Sequence, residues 1–132
     1  MMKLIIFTHG NVAKEMVEAS KMITGDNSFT EFMCLLPHDN VLEMTQSLLQ
    51  SVGNEEALIL VDFIGGSPFN GVFKIISSKE SIHLISGVNM PMVLSAIDNI
   101  EDGRLDIEAI LSVARESIKY ATHNNYQEFM KG

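Results

Sequence analysis

The sequence has a single cysteine, no tryptophan, only three prolines and no long apolar run. Because Cys34 has no second cysteine to pair with, an internal disulfide is excluded, and structural zinc is not expected. No apolar stretch approaches the roughly 20 residues that a membrane helix needs. A formal net charge of -8 disfavours binding to nucleic acid or to anionic lipid. The expected partners are therefore proteins or small molecules, in a reducing, cytoplasmic compartment.

The chain does contain enough apolar residues for one core. It has 132 residues, of which 46% are hydrophobic, and a domain of this size can fold without metal or disulfide support. We therefore expect residues 1–132 to form a single domain. The apolar run at the N-terminus is too short for a signal peptide and is interpreted as the first strand.

Short apolar, β-branched runs alternate with longer segments of helical period, and this alternation predicts an α/β fold. The expected architecture is a single doubly wound, mainly parallel sheet flanked by helices. The predicted strands are residues 4–7, 29–36, 58–63 and 82–85.

Local signals mark where the helices begin and end. The first helix is predicted from Val12 to Thr24, ending at Gly25, and Asn40 is predicted to cap the second. Asp106 is expected to cap a fifth helix. The tail from Ile118 onward is ambiguous, since residues 118–123 would either prolong that helix or form a last edge strand.

Two prolines predict the starts of the third and fourth helices. Ser67 is expected at the N-cap and Pro68 at the first helical position, because proline presets the helical φ where its missing N–H costs nothing. Pro91 is expected to play the same part after the run Gly87-Val88-Asn89-Met90.

Polar residues follow the predicted strands at one edge of the sheet. His9 follows the first strand, Asp62 ends the third, and Ser67 lies in the turn after it. In doubly wound sheets the ligand site lies beyond the carboxyl ends of the strands, where neighbouring connections diverge to opposite faces. If the first and third strands are neighbours, these three residues meet at that point.

Such a cluster suits phosphoryl transfer through a histidine. A neutral imidazole attacks phosphorus with one nitrogen only if the other nitrogen keeps its proton. Asp62 can accept a hydrogen bond from that protonated nitrogen. The amides of Gly66 and Ser67, at the positive end of a helix, would bind the phosphoryl oxygens. This design requires no metal and no cofactor.

Each residue also has a structural interpretation. His9 alone is typical of a surface or hydrogen-bonded residue, Asp62 of a turn or cap, and the run from Gly65 to Pro68 of a tight strand-to-helix turn. His38 lies in the loop after the second strand, where solvent exposure is the favoured interpretation.

Three motifs in order give a more specific indication. They are Thr8-His9-Gly10, then Val61-Asp62 followed by Gly65-Gly66-Ser67-Pro68-Phe69-Asn70, and lastly Gly87-Val88-Asn89-Met90-Pro91-Met92. Together they closely resemble the mannose/fructose/sorbose-family IIA components of the bacterial phosphoenolpyruvate-dependent sugar phosphotransferase system (PTS). The resemblance spans essentially the whole chain.

The resemblance implies a phosphotransferase whose His9 accepts phosphate from the histidine-containing phosphocarrier protein. His9 would pass it to a IIB component, which phosphorylates sugar entering through a membrane IIC/IID pair. Asp62 matches the aspartate that orients the histidine, and Ser67 matches the serine near the phosphoryl group. Gly65, Gly66 and Asn70 match the phosphate-binding loop. The resemblance also implies a homodimer that exchanges an antiparallel C-terminal edge strand.

The sequence is also compatible with other functions. The phosphotransfer subunit of dihydroxyacetone kinase shares the fold and the N-terminal histidine, but the complete Gly-Gly-Ser-Pro-Phe-Asn run favours the sugar system. A non-catalytic, regulatory IIA-like domain is a further alternative. A receiver domain would need acidic residues where the chain has Thr8-His9-Gly10, and the chain lacks nucleotide-binding and serine-hydrolase signatures.

Overall fold

The computed structural model describes residues 2–130, which form a four-stranded sheet covered by helices on both faces. The elements are β1 (Lys3–His9), α1 (Val12–Thr24), β2 (Thr30–Leu35), α2 (Val41–Val52), β3 (Ala57–Val61), α3 (Ser67–Ile76), β4 (Ile82–Ser86), α4 (Met90–Glu101), α5 (Ile107–Glu116) and a 3₁₀ helix (Tyr126–Phe129). Within residues 2–130, none of the helices combines the length and the apolar character that crossing a membrane requires.

The sheet has the order β2-β1-β3-β4, and all its strand pairs are parallel. This confirms the predicted α/β class. The two central strands pair in a register that sets Phe7 opposite Val61. Because β1 and β3 are neighbours, the condition for bringing His9 and Asp62 together is met.

Alternating side chains of β1 pack into two separate hydrophobic cores, one on each face of the sheet. Leu4 and Ile6 pack with α1, α4 and α5, whereas Ile5 and Phe7 pack with α2 and α3 on the other face. Every residue of β3 is buried, as expected for a central parallel strand covered on both faces. The helix after β1 and the helix after β3 lie on opposite faces. The connections therefore diverge between these two strands.

Three predicted helix ends are confirmed. The first helix ends at Gly25, whose φ of 87° suits glycine. The Asn40 side chain accepts a hydrogen bond from the Glu43 N–H at 3.1 Å, and the Asp106 side chain accepts one from the Ala109 N–H at 3.0 Å.

The predicted starts of the third and fourth helices are wrong by one residue. Gly66, not Ser67, is the N-cap of α3, and Ser67 is already helical. Likewise α4 begins at Met90, and its cap is Asn89, which accepts a hydrogen bond from the Met92 N–H at 3.0 Å. The N–H groups of the first two helical residues have no partner within the helix, so proline, which lacks an N–H, is tolerated at either position. Its presence therefore does not show which residue is the first of the helix.

The C-terminal tail forms neither of the two predicted structures within residues 118–123. Helix α5 ends at Glu116, and the chain continues without strand pairing to a 3₁₀ helix at Tyr126–Phe129. Ile118 and Tyr120 are 76% and 80% exposed. The strand exchange implied by the family resemblance stays a prediction about a dimer.

Helices α2 and α3 approach each other closely at Gly71. A Cβ atom added there would lie 2.6 Å from Thr45 Oγ1. Thr45 is buried, and its hydroxyl donates a hydrogen bond to the Val41 carbonyl at 2.7 Å. The threonine cannot move aside without losing that bond or separating the helices.

We therefore expect Gly71→Ala to lower the free energy of unfolding by about 1–3 kcal/mol through overpacking. This loss would occur although alanine is the better helix former by about 1 kcal/mol. Urea denaturation measures it. In a Thr45→Ala background the clashing oxygen is gone, so Gly71→Ala should become neutral or stabilising. Equal destabilisation in both backgrounds would contradict this account.

Candidate active site

His9 and Asp62 meet at the carboxyl edge of the sheet, between the two central strands. The His9 Nδ1 lies 2.7 Å from Asp62 Oδ2, and the same carboxylate oxygen accepts a hydrogen bond from the His9 backbone N–H at 3.0 Å. The His9 side chain is 43% exposed, and that of Asp62 is 20% exposed. One oxygen therefore holds both the main chain and the ring of His9.

The strand lengths explain this geometry. Pairing between β1 and β3 ends at Phe7 and Val61, but β1 continues to His9. The His9 N–H projects past the end of β3, where no main-chain acceptor continues the ladder. The Asp62 carboxylate supplies that acceptor. Gly10 follows with a φ of 59° and donates its N–H to the Leu35 carbonyl, which turns the chain away from the sheet.

The environment of Asp62 keeps its carboxyl ionised. Partial burial raises the pKa, but the hydrogen bonds from the His9 N–H and ring, together with electrostatic attraction to that ring, outweigh it. The net result is a pKa below the ordinary value of 3.8. A carboxylate of lowered pKa stabilises the fold above its ordinary pKa, and this contribution is lost as the pH falls through the lowered value.

Ser67 stands at the N-terminus of α3, beside His9. The first helical hydrogen bond of α3 runs from the Asn70 N–H to the Gly66 carbonyl, so the amides of Ser67 and Phe69 precede the helical ladder. The Gly66 N–H is not available as the sequence suggested, because it donates to the Phe63 carbonyl at 3.3 Å. Ser67 is exposed and borders the same cleft as His9.

Gly65 and Asn70 shape the loop between β3 and α3. Gly65 has a φ of 86°, a conformation that glycine adopts without strain. The Asn70 side-chain amide donates to the Gly65 carbonyl at 3.0 Å, so it braces the loop in this structure. Its predicted contact with phosphate stays a prediction.

The third motif holds the neighbouring helices together. Asn89 caps α4 with its side-chain oxygen, and its amide nitrogen donates to the Ala114 carbonyl at 3.0 Å, at the end of α5. The Val88 N–H donates to the Val61 carbonyl at 3.1 Å. This motif therefore supports the carboxyl edge of the sheet next to Asp62.

An open cleft of about 460 Å³ exposes His9 to solvent. Its lining comes from the ends of β1 and β2, the loop after β2 and the first turns of α2 and α3: His9, Gly10, Leu35, Leu36, Pro37, Asp39, Val41 and Ser67. His38, in the same loop, is exposed and is not part of this lining. Within residues 2–130, no three His, Cys, Asp or Glu side chains group as ligands for a metal ion.

The sequence pattern did not identify Phe63 as a residue of the site. The ring of Phe63 stacks on the His9 imidazole with a centroid distance of 5.2 Å and an interplanar angle of 14°. The sequence placed Phe63 at the end of the predicted strand 58–63, whereas β3 ends at Val61 and Phe63 lies in the exposed loop after it. Periodicity cannot reveal this contact, because it joins the ends of two different strands.

Comparisons with known proteins identify the family. A family model described as "PTS system fructose IIA component" (EIIA-man) matches residues 3–112. The chain is 30% identical over 123 residues to the PTS system mannose-specific EIIAB component of Escherichia coli K12, covering 88% of this chain and 38% of that protein. It is 28% identical over 102 residues to the PTS system sorbose-specific EIIA component of Klebsiella pneumoniae, covering 75% of each. This chain thus spans well under half the length of the mannose-specific relative.

The fold agrees with this relationship. The structure of phosphotransferase system component EIIA from Streptococcus agalactiae matches with a TM-score of 0.84, covering 91% of this chain and 97% of that one, at 22% identity. At such identity the likeness speaks for the fold alone. With the family model matching residues 3–112 of 132, the chain belongs to the mannose/fructose/sorbose family of PTS IIA components.

Proposed function

We propose that this chain carries a phosphoryl group on Nε2 of His9, taking it from a histidine-containing phosphocarrier protein and passing it to a IIB component during sugar uptake. The observation that carries the proposal is the 2.7 Å contact between His9 Nδ1 and Asp62 Oδ2. A carboxylate only accepts hydrogen bonds, so Nδ1 bears the proton in this pair. Nε2 then has a free electron pair.

The transfer balances without an added acid or base. The Nε2 electron pair forms a bond to phosphorus, while the phosphorus–nitrogen bond of the donor breaks and its electron pair stays on the donor imidazole. His9 then carries a proton on Nδ1 and a phosphoryl group on Nε2, so its ring is positively charged. The anionic Asp62, held ionised by its lowered pKa, stabilises that charge.

The start of α3 supplies a subsite for the phosphoryl oxygens. The amides of Ser67 and Phe69 lie before the helical ladder, at the positive end of the helix dipole. The Ser67 hydroxyl adds a further donor on the cleft that contains His9. Phosphoryl transfer depends mainly on such positioning and electrostatics, so no chemical group beyond these is needed.

We propose the partners and the cellular compartment from the same family membership. A IIB component would receive the phosphoryl group and phosphorylate sugar entering through a membrane IIC/IID pair. Residues 1–132 would act as one domain in the cytoplasm, as a homodimer joined by the exposed tail. The PTS names of the matching family and relatives support this role over that of a dihydroxyacetone kinase subunit.

We expect His9→Ala to abolish phosphoryl uptake, because the variant lacks the attacking nitrogen. Intact-mass analysis after incubation with phosphoenolpyruvate, enzyme I and the phosphocarrier protein should find one acid-labile phosphoryl group on the wild type and none on the variant. His38→Ala, which removes an exposed histidine outside the cleft, should keep full uptake. Normal uptake by His9→Ala would refute the assignment of the site.

We expect Asp62→Asn to slow uptake roughly 10- to 100-fold, the range for losing one hydrogen bond to a charged group. The amide can still accept from the His9 N–H, so the variant should fold. Rapid-quench measurement of phosphoryl transfer from the phosphocarrier gives the rate. An unchanged rate in a folded variant would exclude Asp62 from the mechanism.

The pH dependence of stability tests the charge of Asp62 separately. Asparagine does not titrate, so the wild type should hold its full advantage over Asp62→Asn in unfolding free energy well above the ordinary carboxyl pKa of 3.8 and lose it as the pH falls through the lowered pKa of Asp62. This sign follows from the lowered pKa of Asp62. A difference that stays constant across this range would mean that the carboxylate charge does not stabilise the fold.

We expect Ser67→Ala to slow transfer roughly tenfold without abolishing it, because the two amides of the α3 N-terminus remain. The same rapid-quench assay applies. Ser112→Ala, at an exposed serine of α5, is the matched control and should transfer at the wild-type rate. Equal rates for both variants would remove the Ser67 hydroxyl from the phosphoryl subsite.

A further inference from the structure

The Phe63 ring packs against the imidazole that the proposed function makes the phosphoryl acceptor. The two rings are nearly parallel, at 14°, and their centroids lie 5.2 Å apart. Phe63 is nevertheless 54% exposed. A large apolar side chain is usually buried in a core. Phe63 is instead only partly buried, and its ring is covered by the polar imidazole of His9 at the edge of the sheet.

Gly66 makes room for this stack. A Cβ atom added at Gly66 would lie 2.9 Å from Phe63 Cζ, 3.0 Å from Phe63 Cε2 and 3.1 Å from His9 Cε1. The phenyl and imidazole edges therefore both rest on the backbone that caps α3. The stack is a packed unit of three residues, not a chance contact of one flexible side chain.

Asp62 alone leaves the ring plane of His9 loosely defined. Its hydrogen bond to Nδ1 holds one atom, and the χ2 torsion of histidine has broad, shallow minima. With 43% of the His9 side chain exposed, general burial does not lock the ring either. A second ring lying parallel to the imidazole restricts the remaining rotation, and this rotation decides where the Nε2 electron pair points.

The stack also has an electrostatic consequence. The face of a phenyl ring is negative, and it attracts a cation within about 6 Å of its centroid. The imidazole of His9 lies at 5.2 Å and becomes positive when Nε2 is phosphorylated while Nδ1 keeps its proton. Phenylalanine therefore favours the phosphorylated form, and an aliphatic side chain of similar size would not.

We propose that Phe63 is a positioning residue for phosphoryl transfer: its ring holds the plane of the His9 imidazole and stabilises the positive charge that this ring carries after phosphorylation. The inference rests on the function proposed above. Phe63 contacts the face of the His9 ring and not the phosphoryl group, so it acts on the transfer only through His9.

Three variants separate this role from simple packing. Phe63→Leu keeps apolar volume but removes the ring, and Phe63→Tyr restores a ring. Ile64→Ala truncates the neighbouring side chain, which is 71% exposed, and controls for the contribution of this loop to partner docking. Thermal unfolding would confirm that each variant folds, as expected for exposed positions.

The first measurement is single-turnover transfer from the phosphorylated phosphocarrier, at increasing donor concentration. Phe63→Leu should lower the rate at saturation about 3- to 10-fold, whereas Phe63→Tyr should keep it. Ile64→Ala should keep the saturating rate, whatever its effect on the donor concentration needed for half-saturation. An unchanged saturating rate in Phe63→Leu, or an equal drop in Ile64→Ala, would overturn the positioning role.

The second measurement is the equilibrium of phosphoryl exchange with the same donor, read by intact mass. Phe63→Leu should shift this equilibrium about two- to fivefold towards unphosphorylated His9, and Phe63→Tyr should reverse the shift.

Proton NMR tests the stack itself. The His9 ring protons should lose their ring-current shift in Phe63→Leu and keep it in Phe63→Tyr and Ile64→Ala. If the wild type takes up no phosphoryl group on His9, the proposed function fails; if uptake is normal and Phe63→Leu matches the wild type, only this inference fails.

Discussion

The site depends on one carboxylate oxygen that accepts two hydrogen bonds from the same residue. Asp62 Oδ2 receives the His9 N–H at 3.0 Å and faces the His9 Nδ1 at 2.7 Å. The first contact extends the pairing of β1 and β3 beyond the last main-chain partner. The second orients the ring. Because one oxygen makes both contacts, the imidazole is oriented by the sheet itself, while its far side stays open.

The loop between β3 and α3 builds the remaining surroundings of the imidazole within a few residues. Asp62 holds one ring nitrogen, Phe63 covers a ring face, and Gly66 brings the α3 backbone close to both rings. Asn70 reaches back to the Gly65 carbonyl and braces the turn. This compact arrangement explains the exposure of Phe63: its contact with His9 requires a position at the rim of the fold.

The accuracy of the sequence-based predictions follows the range of the interactions involved. The ends at Gly25, Asn40 and Asp106 were predicted correctly because each depends on contacts with residues a few positions away. The start of α3 was misplaced by one residue, and the surroundings of its cap depend in part on a non-local contact: a side chain at Gly66 would collide with Phe63, three residues away, and with His9, on another strand. Pro68 is tolerated at both the first and the second helical position, so its helix-start preference did not distinguish Gly66 from Ser67 as the N-cap.

The sequence by itself determined the order of strands and helices, the parallel α/β architecture, and the placement of His9 and Asp62 at strand ends. These features follow from periodicity and turn chemistry, which act over a few residues. Only the tertiary structure decided that β1 neighbours β3, that Nδ1 rather than Nε2 faces Asp62, and that Phe63 stacks on the ring. The physical reason is distance along the chain: these contacts join residues more than fifty positions apart, and packing of both cores on the sheet sets them.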